Sequence, residues 1–162
     1  MNGRTAHFIW LTAAVFLAAC ASAPAPPVRP EPVRPETVAE VKAAMERYNQ
    51  YVLAMDAESI AASFTDDGEV IDRGRSIARG REAIRKFLAS FKGVVRLDEN
   101  ATTIQSVNVQ GDTALVTGTY RQRATLLARQ RTIEVQGRLE AEWVRQPTGE
   151  WLIRRMRTKP PL

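Results

Sequence analysis

The spacing of apolar residues changes near Arg96, and this change restricts the folds available to the chain. After Arg96, apolar and polar residues tend to alternate, as they do in strands that bury one face. Gly111-Asp112 and Pro147-Thr148-Gly149 are turn signals within this region. We therefore expect four long strands, at about 96–109, 112–127, 130–146 and 150–158. Long strands joined by short turns favour an antiparallel meander.

The preceding part of the chain instead has the three- and four-residue spacing of amphipathic helices. Thr37 and Glu40 fit a capping box at the start of a first helix. One apolar face of that helix is formed by Val38, Val41, Met45, Tyr48, Val52 and Met55. Asp56 is suited to cap a short second helix, and Gly80 to open a third.

A short strand is expected between the second and third helices. Asp66-Asp67-Gly68 is a turn signal that should end the second helix, and Glu69–Asp72 then has strand character. Residues 73–79 are expected to be mainly a loop. Helices followed by a meander predict an α+β domain over residues 37–162.

The N-terminal residues have the composition of an export signal and a spacer. Residues 1–19 contain an apolar run, Phe8–Ala19, that is too short to span a bilayer. Cys20 follows Leu17-Ala18-Ala19, which resembles a bacterial lipobox. Residues 20–36 are then an acylated cysteine and a proline-rich tether. This predicts a lipid-anchored protein of the cell envelope, at the outer membrane facing the periplasm in a Gram-negative host. The alternative is an ordinary signal peptide cut after Ala23.

The composition excludes several classes of chemistry from the folded domain. Cys20 is the only cysteine and His7 the only histidine. The domain therefore has no thiol nucleophile, imidazole base or cysteine- or histidine-ligated metal site, and we expect neither a metal nor a cofactor. The formal net charge of +5 comes without a nucleic-acid recognition motif, so no nucleic-acid partner is expected.

The order of these elements resembles the nuclear-transport-factor-2-like superfamily, which includes ketosteroid isomerases and SnoaL-type polyketide cyclases. The resemblance lies in a helix, a second helix ending in Phe64-x-x-Asp67-Gly68, a strand ending at Asp72, and a GREAI helix at Gly80 before long strands. It implies a cone-shaped α+β fold with three N-terminal helices on a curved, mainly antiparallel sheet. In that superfamily the sheet encloses a pocket, and its outer face often forms a homodimer.

The resemblance to ketosteroid isomerase runs without a gap from Arg47 to Asp72, and it implies two site residues. Tyr48 takes the place of the oxyanion-hole tyrosine and Asp72 that of the general-base aspartate. The position of the second, protonated acid falls at Ala141, which cannot donate a hydrogen bond. The pocket is expected to be lined by Val52, Met55, Phe64, Phe87, Phe91, Tyr120, Ala141 and Trp143.

Three functions remain open at this point. We favour a lipid-anchored domain that binds a small apolar or amphipathic ligand, or a protein partner, without catalysis. The alternative is an isomerase, cyclase or dehydratase with Asp72 as base and Tyr48 as donor. An epoxide-hydrolase-like site with Arg121 and Arg123 near the cavity also stays open. The basic run from Arg73 to Lys86 is either a solvated face or a contact surface for anionic lipid.

Overall fold

A computed structural model describes residues 35–161 of the chain. The predicted signal peptide, Cys20 and the tether up to residue 34 lie outside the described residues. Within 35–161 the helices are α1 (Pro35–Leu53), α2 (Ala57–Ala62) and α3 (Arg81–Ala89), with a short 3-10 turn at Leu127–Arg129. The strands are β1 (Phe64–Asp72), β2 (Arg75–Arg79), β3 (Val95–Gln110), β4 (Thr113–Leu126), β5 (Arg131–Arg145) and β6 (Trp151–Lys159).

The six strands form one mixed sheet in the order β2-β1-β6-β5-β4-β3. Strands β1 and β6 are parallel, and every other neighbouring pair is antiparallel. The pairing of β3 with β4 shifts register between Leu97 and Glu99 and again between Ile104 and Ser106. Such irregularities bend a strand and increase its twist, so they favour a sheet that curves around its inner face.

The four long strands have the bounds that the alternating pattern predicted, to within one residue. Asp56 also caps α2 as expected, since its carboxylate accepts hydrogen bonds from the Ser59 amide and hydroxyl. Thr37 does not cap α1 as predicted, because the helix already includes Pro35 and Thr37 lies inside it. Glu40 instead accepts a 3.1 Å hydrogen bond from the Trp151 indole.

The segment after α2 also differs from expectation. Strand β1 begins already at Phe64, and the predicted turn at Gly68 is an irregularity inside the strand. The segment predicted to be mainly loop contains β2, joined to β1 by a two-residue turn at Arg73-Gly74. Both turn residues have positive φ, 49° and 79°, as a tight hairpin of this kind requires.

The two faces of the sheet have opposite character. The inner face, at Val116, Ala141 and Trp143, is buried against apolar residues of the helices such as Val41 and Met45. The outer face carries ion pairs between neighbouring strands, namely Glu140–Arg157, Glu142–Arg155 and Glu69–Arg155. Partly exposed pairs of this kind add little stability individually. No helix within residues 35–161 is long and apolar enough to cross a membrane.

Candidate functional site

A cavity of about 370 Å³ lies between α1, α3, the β1–β2 hairpin and the inner faces of β3 to β6. Much of its wall is apolar, with contributions from Val52, Val70, Phe87, Val135, Leu139 and Met156. Tyr48, Asp72 and Tyr120 line the same cavity. The fold therefore brings the two residues implied by the isomerase resemblance to one space.

Tyr48 reaches the cavity from α1 and is held by the core beneath it. Its ring packs edge-on against Phe64, with 6.1 Å between ring centroids. Burial raises the pKa of Tyr48 to about 12, so the phenol is neutral near pH 7. Within the described residues no side-chain hydrogen bond engages its hydroxyl. Tyr48 can therefore donate a hydrogen bond to a molecule in the cavity.

Asp72 lies where β1 ends, at the rim of the cavity. Its Oδ1 accepts a 2.7 Å hydrogen bond from the Thr158 hydroxyl on β6. Its Oδ2 lies 4.0 Å from Nε of Arg73, and 47% of the Asp72 side chain is exposed. The carboxylate is thus anchored through one oxygen while the other stays accessible.

Tyr120 is a second phenol in the cavity, on β4. It faces Gly137 of β5 in register, and a Cβ built at Gly137 would lie 2.9 Å from the Tyr120 hydroxyl. Burial and, to a lesser extent, the Asp72 charge raise the pKa of Tyr120, while the Arg73 charge acts in the opposite direction. Tyr120, Thr158 and Asp72 are therefore neighbours at one side of the cavity.

A network of polar side chains forms another part of the wall, and the sequence analysis missed it. Thr102 donates to the Asn49 side chain (3.0 Å), Asn100 donates to the Asn49 carbonyl (3.1 Å), and Gln122 donates to Asn100 (3.0 Å). The sequence does contain a pattern that indicates this polar network. These strand residues occupy the positions that alternation assigns to the inner face, where polar residues are unexpected.

Five of the residues expected to line the pocket are placed elsewhere. Phe64, Ala141 and Trp143 are at most 1% exposed and belong to the core, because Val41 and Met45 of α1 cover that end of the sheet. Met55 follows the end of α1 with φ at 55°, so the helical spacing no longer applies, and it lines a separate groove. Phe91 packs edge-on against Phe87, with 5.2 Å between centroids. Val52, Phe87 and Tyr120 do line the cavity.

The charged residues considered for other chemistries point away from the cavity. Arg121 and Arg123 alternate with Tyr120 along β4 and pair with Glu99, at 2.9 and 3.5 Å. Neither arginine of β4 therefore faces the cavity, as an epoxide-hydrolase-like site would require. Glu140 and Glu142 form the outer-face ion pairs already described. Among residues 35–161, no three His, Cys, Asp or Glu side chains are grouped so that they could hold a metal ion.

The basic run from Arg73 to Lys86 is largely paired with acids. Arg81 contacts Asp66 at 3.1 Å, and Arg85 contacts Glu82 and Glu58. Lys86 also contacts Glu82. These pairs are those of a solvated face rather than of a free cationic surface.

Comparison of the chain with known proteins shows which fold family it belongs to. No curated protein matches the sequence. A ketosteroid isomerase-like protein from Erwinia carotovora atroseptica is similar in structure, with a TM-score of 0.70 and 24% identity over 77% of this chain and 96% of that one. A protein of unknown function from Mycobacterium tuberculosis has a TM-score of 0.64 and 29% identity over 76% and 71%.

A nuclear transport factor 2 (NTF2-like) superfamily protein from Salmonella enterica has a TM-score of 0.66 and 18% identity over 78% of this chain and 93% of that one. The predicted α+β fold of the NTF2-like superfamily is therefore confirmed. The sequence profile of the SnoaL-like domain matches residues 34–157, which is most of the chain. The chain belongs to the SnoaL-like domain family.

Proposed function

We propose that this domain binds a small, mainly apolar or amphipathic molecule in the cavity beside Tyr48 and Asp72. The observation that carries the proposal is a cavity of about 370 Å³ whose apolar wall also presents several hydrogen-bonding groups. Ligand sites in proteins commonly have a volume of a few hundred Å³ and this mixture of apolar surface and a few polar groups. Fold alone does not imply a function, so the proposal depends on this cavity.

The polar groups of the cavity favour a ligand with oxygen atoms over a pure hydrocarbon. The Tyr48 hydroxyl and Oδ2 of Asp72 have capacity for a further hydrogen bond. Placing a hydrocarbon against them would remove them from water without a replacement partner, which is unfavourable. The apolar wall in turn favours a ligand that is mostly carbon.

Replacing Val52 with tryptophan should fill the cavity and prevent ligand binding. Val52 lines the cavity from α1, whereas the adjacent Leu53 is 43% exposed and does not line it. With 2-naphthol as the probe, we expect Val52→Trp to lower affinity at least about tenfold, because the indole occupies the ligand's volume. Leu53→Trp should retain the affinity of the parent protein. Titration calorimetry measures both, and circular dichroism verifies folding. Equal affinity in the two folded variants would place the binding site elsewhere.

A second candidate function is proton transfer at carbon, as in an isomerase, cyclase or dehydratase. What favours it is that Tyr48 and Asp72 line one cavity. Oδ2 of Asp72 would take the proton from the carbon next to a ligand carbonyl, and Tyr48 would donate to the enolate oxygen. Ala141 provides no second donor, and Asp72 is half exposed. For these two reasons we rank binding first.

Proton transfer predicts exchange of α-hydrogens in a ketone that fits the cavity. In D₂O, the protein should speed deuterium incorporation into 1-tetralone, followed by NMR, and Asp72→Asn should remove the acceleration because the amide cannot accept the proton. Asp112→Asn, at an exposed turn, is the matched control and should leave the rate unchanged. If the parent protein exchanges no faster than buffer, this catalytic function is excluded while ligand binding stands.

We also propose that acylation of Cys20 attaches the domain to the cell envelope, at the outer membrane of a Gram-negative host. This proposal is supported by the sequence of residues 1–36 alone. A single acyl chain gives marginal binding, and stable attachment needs more than one signal. The tether would then let the cavity act close to the membrane without inserting the domain.

A further inference from the structure

We propose that Gln122 selects ligands that place a neutral hydrogen-bond donor, a hydroxyl or an amide N–H, at the β3–β4 side of the cavity. The inference rests on the proposed ligand-binding function and specifies the ligand's chemistry. Its starting point is the polar network of the cavity wall, in which Gln122 donates to Asn100 and Asn100 donates to the Asn49 carbonyl. All three residues line the cavity.

The Asn49 backbone carbonyl fixes the orientation of both amide side chains. A carbonyl can only accept a hydrogen bond, so the Asn100 group that lies 3.1 Å from it is the NH₂ group. Oδ1 of Asn100 then faces Gln122 and accepts a 3.0 Å hydrogen bond from its Nε2. Turning the Gln122 amide over would bring two oxygens together. The atom that Gln122 has left for a ligand is therefore Oε1, which can only accept.

Oε1 of Gln122 is also accessible. Within residues 35–161 the one side-chain hydrogen bond of Gln122 uses its NH₂ group, so Oε1 has no partner there. The only side-chain nitrogen or oxygen of these residues that is both buried and unpaired is Nε1 of Trp143, so Oε1 is not sealed inside the protein. A hydroxyl or amide N–H can replace the water on this oxygen, whereas an ether or carbonyl oxygen cannot.

The charges around the cavity indicate that this donor is neutral. Asp72 and Arg73 are the only charged residues of the described chain that line the cavity. Asp72 is on β1, three strand spacings from β4 in the sheet, which is roughly 14 Å at about 4.8 Å per spacing. A ligand ammonium beside Gln122 would lose water and gain no counterion, which is unfavourable. A hydroxyl or an amide N–H donates without that cost.

The network makes Gln122 a discriminating acceptor. A freely rotating amide could turn its NH₂ group towards an ether and its oxygen towards a hydroxyl, and would bind both. The hydrogen bond to Asn100 opposes this rotation, and Asn100 is itself tied to α1 through the Asn49 carbonyl. A group that is already oriented loses less freedom when the ligand binds.

Three probes of similar shape test the inference: 2-naphthol donates and accepts, 2-methoxynaphthalene only accepts, and naphthalene does neither. In titration calorimetry with the parent protein, 2-naphthol should bind about tenfold more tightly than 2-methoxynaphthalene, the discrimination expected for one good hydrogen bond. Gln122→Met should make the two affinities nearly equal and leave that for naphthalene unchanged. Methionine has nearly the length of glutamine and covers Asn100 similarly, but it offers no oxygen.

Gln136→Met is the matched control, because it makes the same substitution on the opposite face of the sheet. Gln136 is exposed, lies opposite Arg121 in the β4–β5 pairing, and does not line the cavity. This variant should retain the preference of the parent protein for 2-naphthol. Gln122 is itself partly exposed, so its replacement should leave the domain folded, and circular dichroism verifies this for both variants.

The outcomes separate this inference from the proposed function. Binding of none of the three probes by the parent protein would overturn the proposed function, and the inference with it. Equal affinity of the parent protein for 2-naphthol and 2-methoxynaphthalene would overturn the inference alone. An unchanged preference in Gln122→Met would also overturn it, because the hydroxyl would then bind elsewhere in the cavity. So would an equal loss for all three probes, because Gln122 would then only shape the wall.

Discussion

Replacing Phe64 with alanine should lower the free energy of unfolding by about 3–5 kcal/mol, the usual cost of removing a buried aromatic ring. Phe64 has no exposed surface, and its ring supports Tyr48 edge-on. The loss combines the transfer free energy of the ring with the cavity that remains. The free energy of unfolding of a domain is commonly only about 5–15 kcal/mol. The loss expected from this single change is therefore a large fraction of the total. Urea unfolding monitored by circular dichroism measures it.

Phe91→Ala is the matched control for this prediction. Phe91 was expected to line the same pocket, yet it is partly exposed and packs edge-on with Phe87. Its truncation should cost clearly less than that of Phe64, because less surface is returned to water and no enclosed void forms. Equal losses of stability would contradict the placement of Phe64 in the core and of Phe91 at its margin.

The strands were predictable because their signal is local. Alternation along β5 assigns Leu139, Ala141 and Trp143 to the inner face, and all three are buried there. The Asp56 cap is equally local, since donor and acceptor are three residues apart. A pattern that depends on neighbouring residues in the chain specifies both features without reference to the rest of the fold.

The extent of the cavity was not predictable in the same way. Alternation separates the two faces of β5, but it does not show which inner residues the helices cover. Ala141 and Trp143 lie under α1, whereas Val135 on the same face is 39% exposed and lines the cavity. The boundary depends on where α1 crosses the sheet, which is a property of tertiary packing.

The partners of Asp72 were missed for a related reason. Its hydrogen bond to Thr158 joins residues that are 86 positions apart, across the parallel pairing of β1 with β6. No local pattern in the sequence indicates that pairing. Of the arginines close to Asp72 in the sequence, only Arg73 forms an ion pair with the carboxylate, at 4.0 Å.

Replacing Cys20 with serine should move the protein from the membrane fraction to the soluble fraction of a Gram-negative host. The serine hydroxyl cannot take the thioether-linked lipid that a lipobox cysteine carries. Each buried methylene of an acyl chain contributes about 0.8 kcal/mol to membrane binding, so loss of the lipid should release nearly all of the protein. Cys20 is the only cysteine, so no other thiol can substitute for it. Fractionation and immunoblotting measure the shift.

A high-salt wash of membranes that carry the parent protein distinguishes lipid attachment from attraction by charge. The chain has a formal net charge of +5, and basic proteins adhere to anionic membranes. In 1 M salt the Debye length falls to about 3 Å, which weakens such contacts but does not affect an acyl chain in the bilayer. An acylated protein should stay in the pellet until detergent is added. Release of the parent protein by salt alone would contradict acylation and support an ordinary signal peptide cut after Ala23.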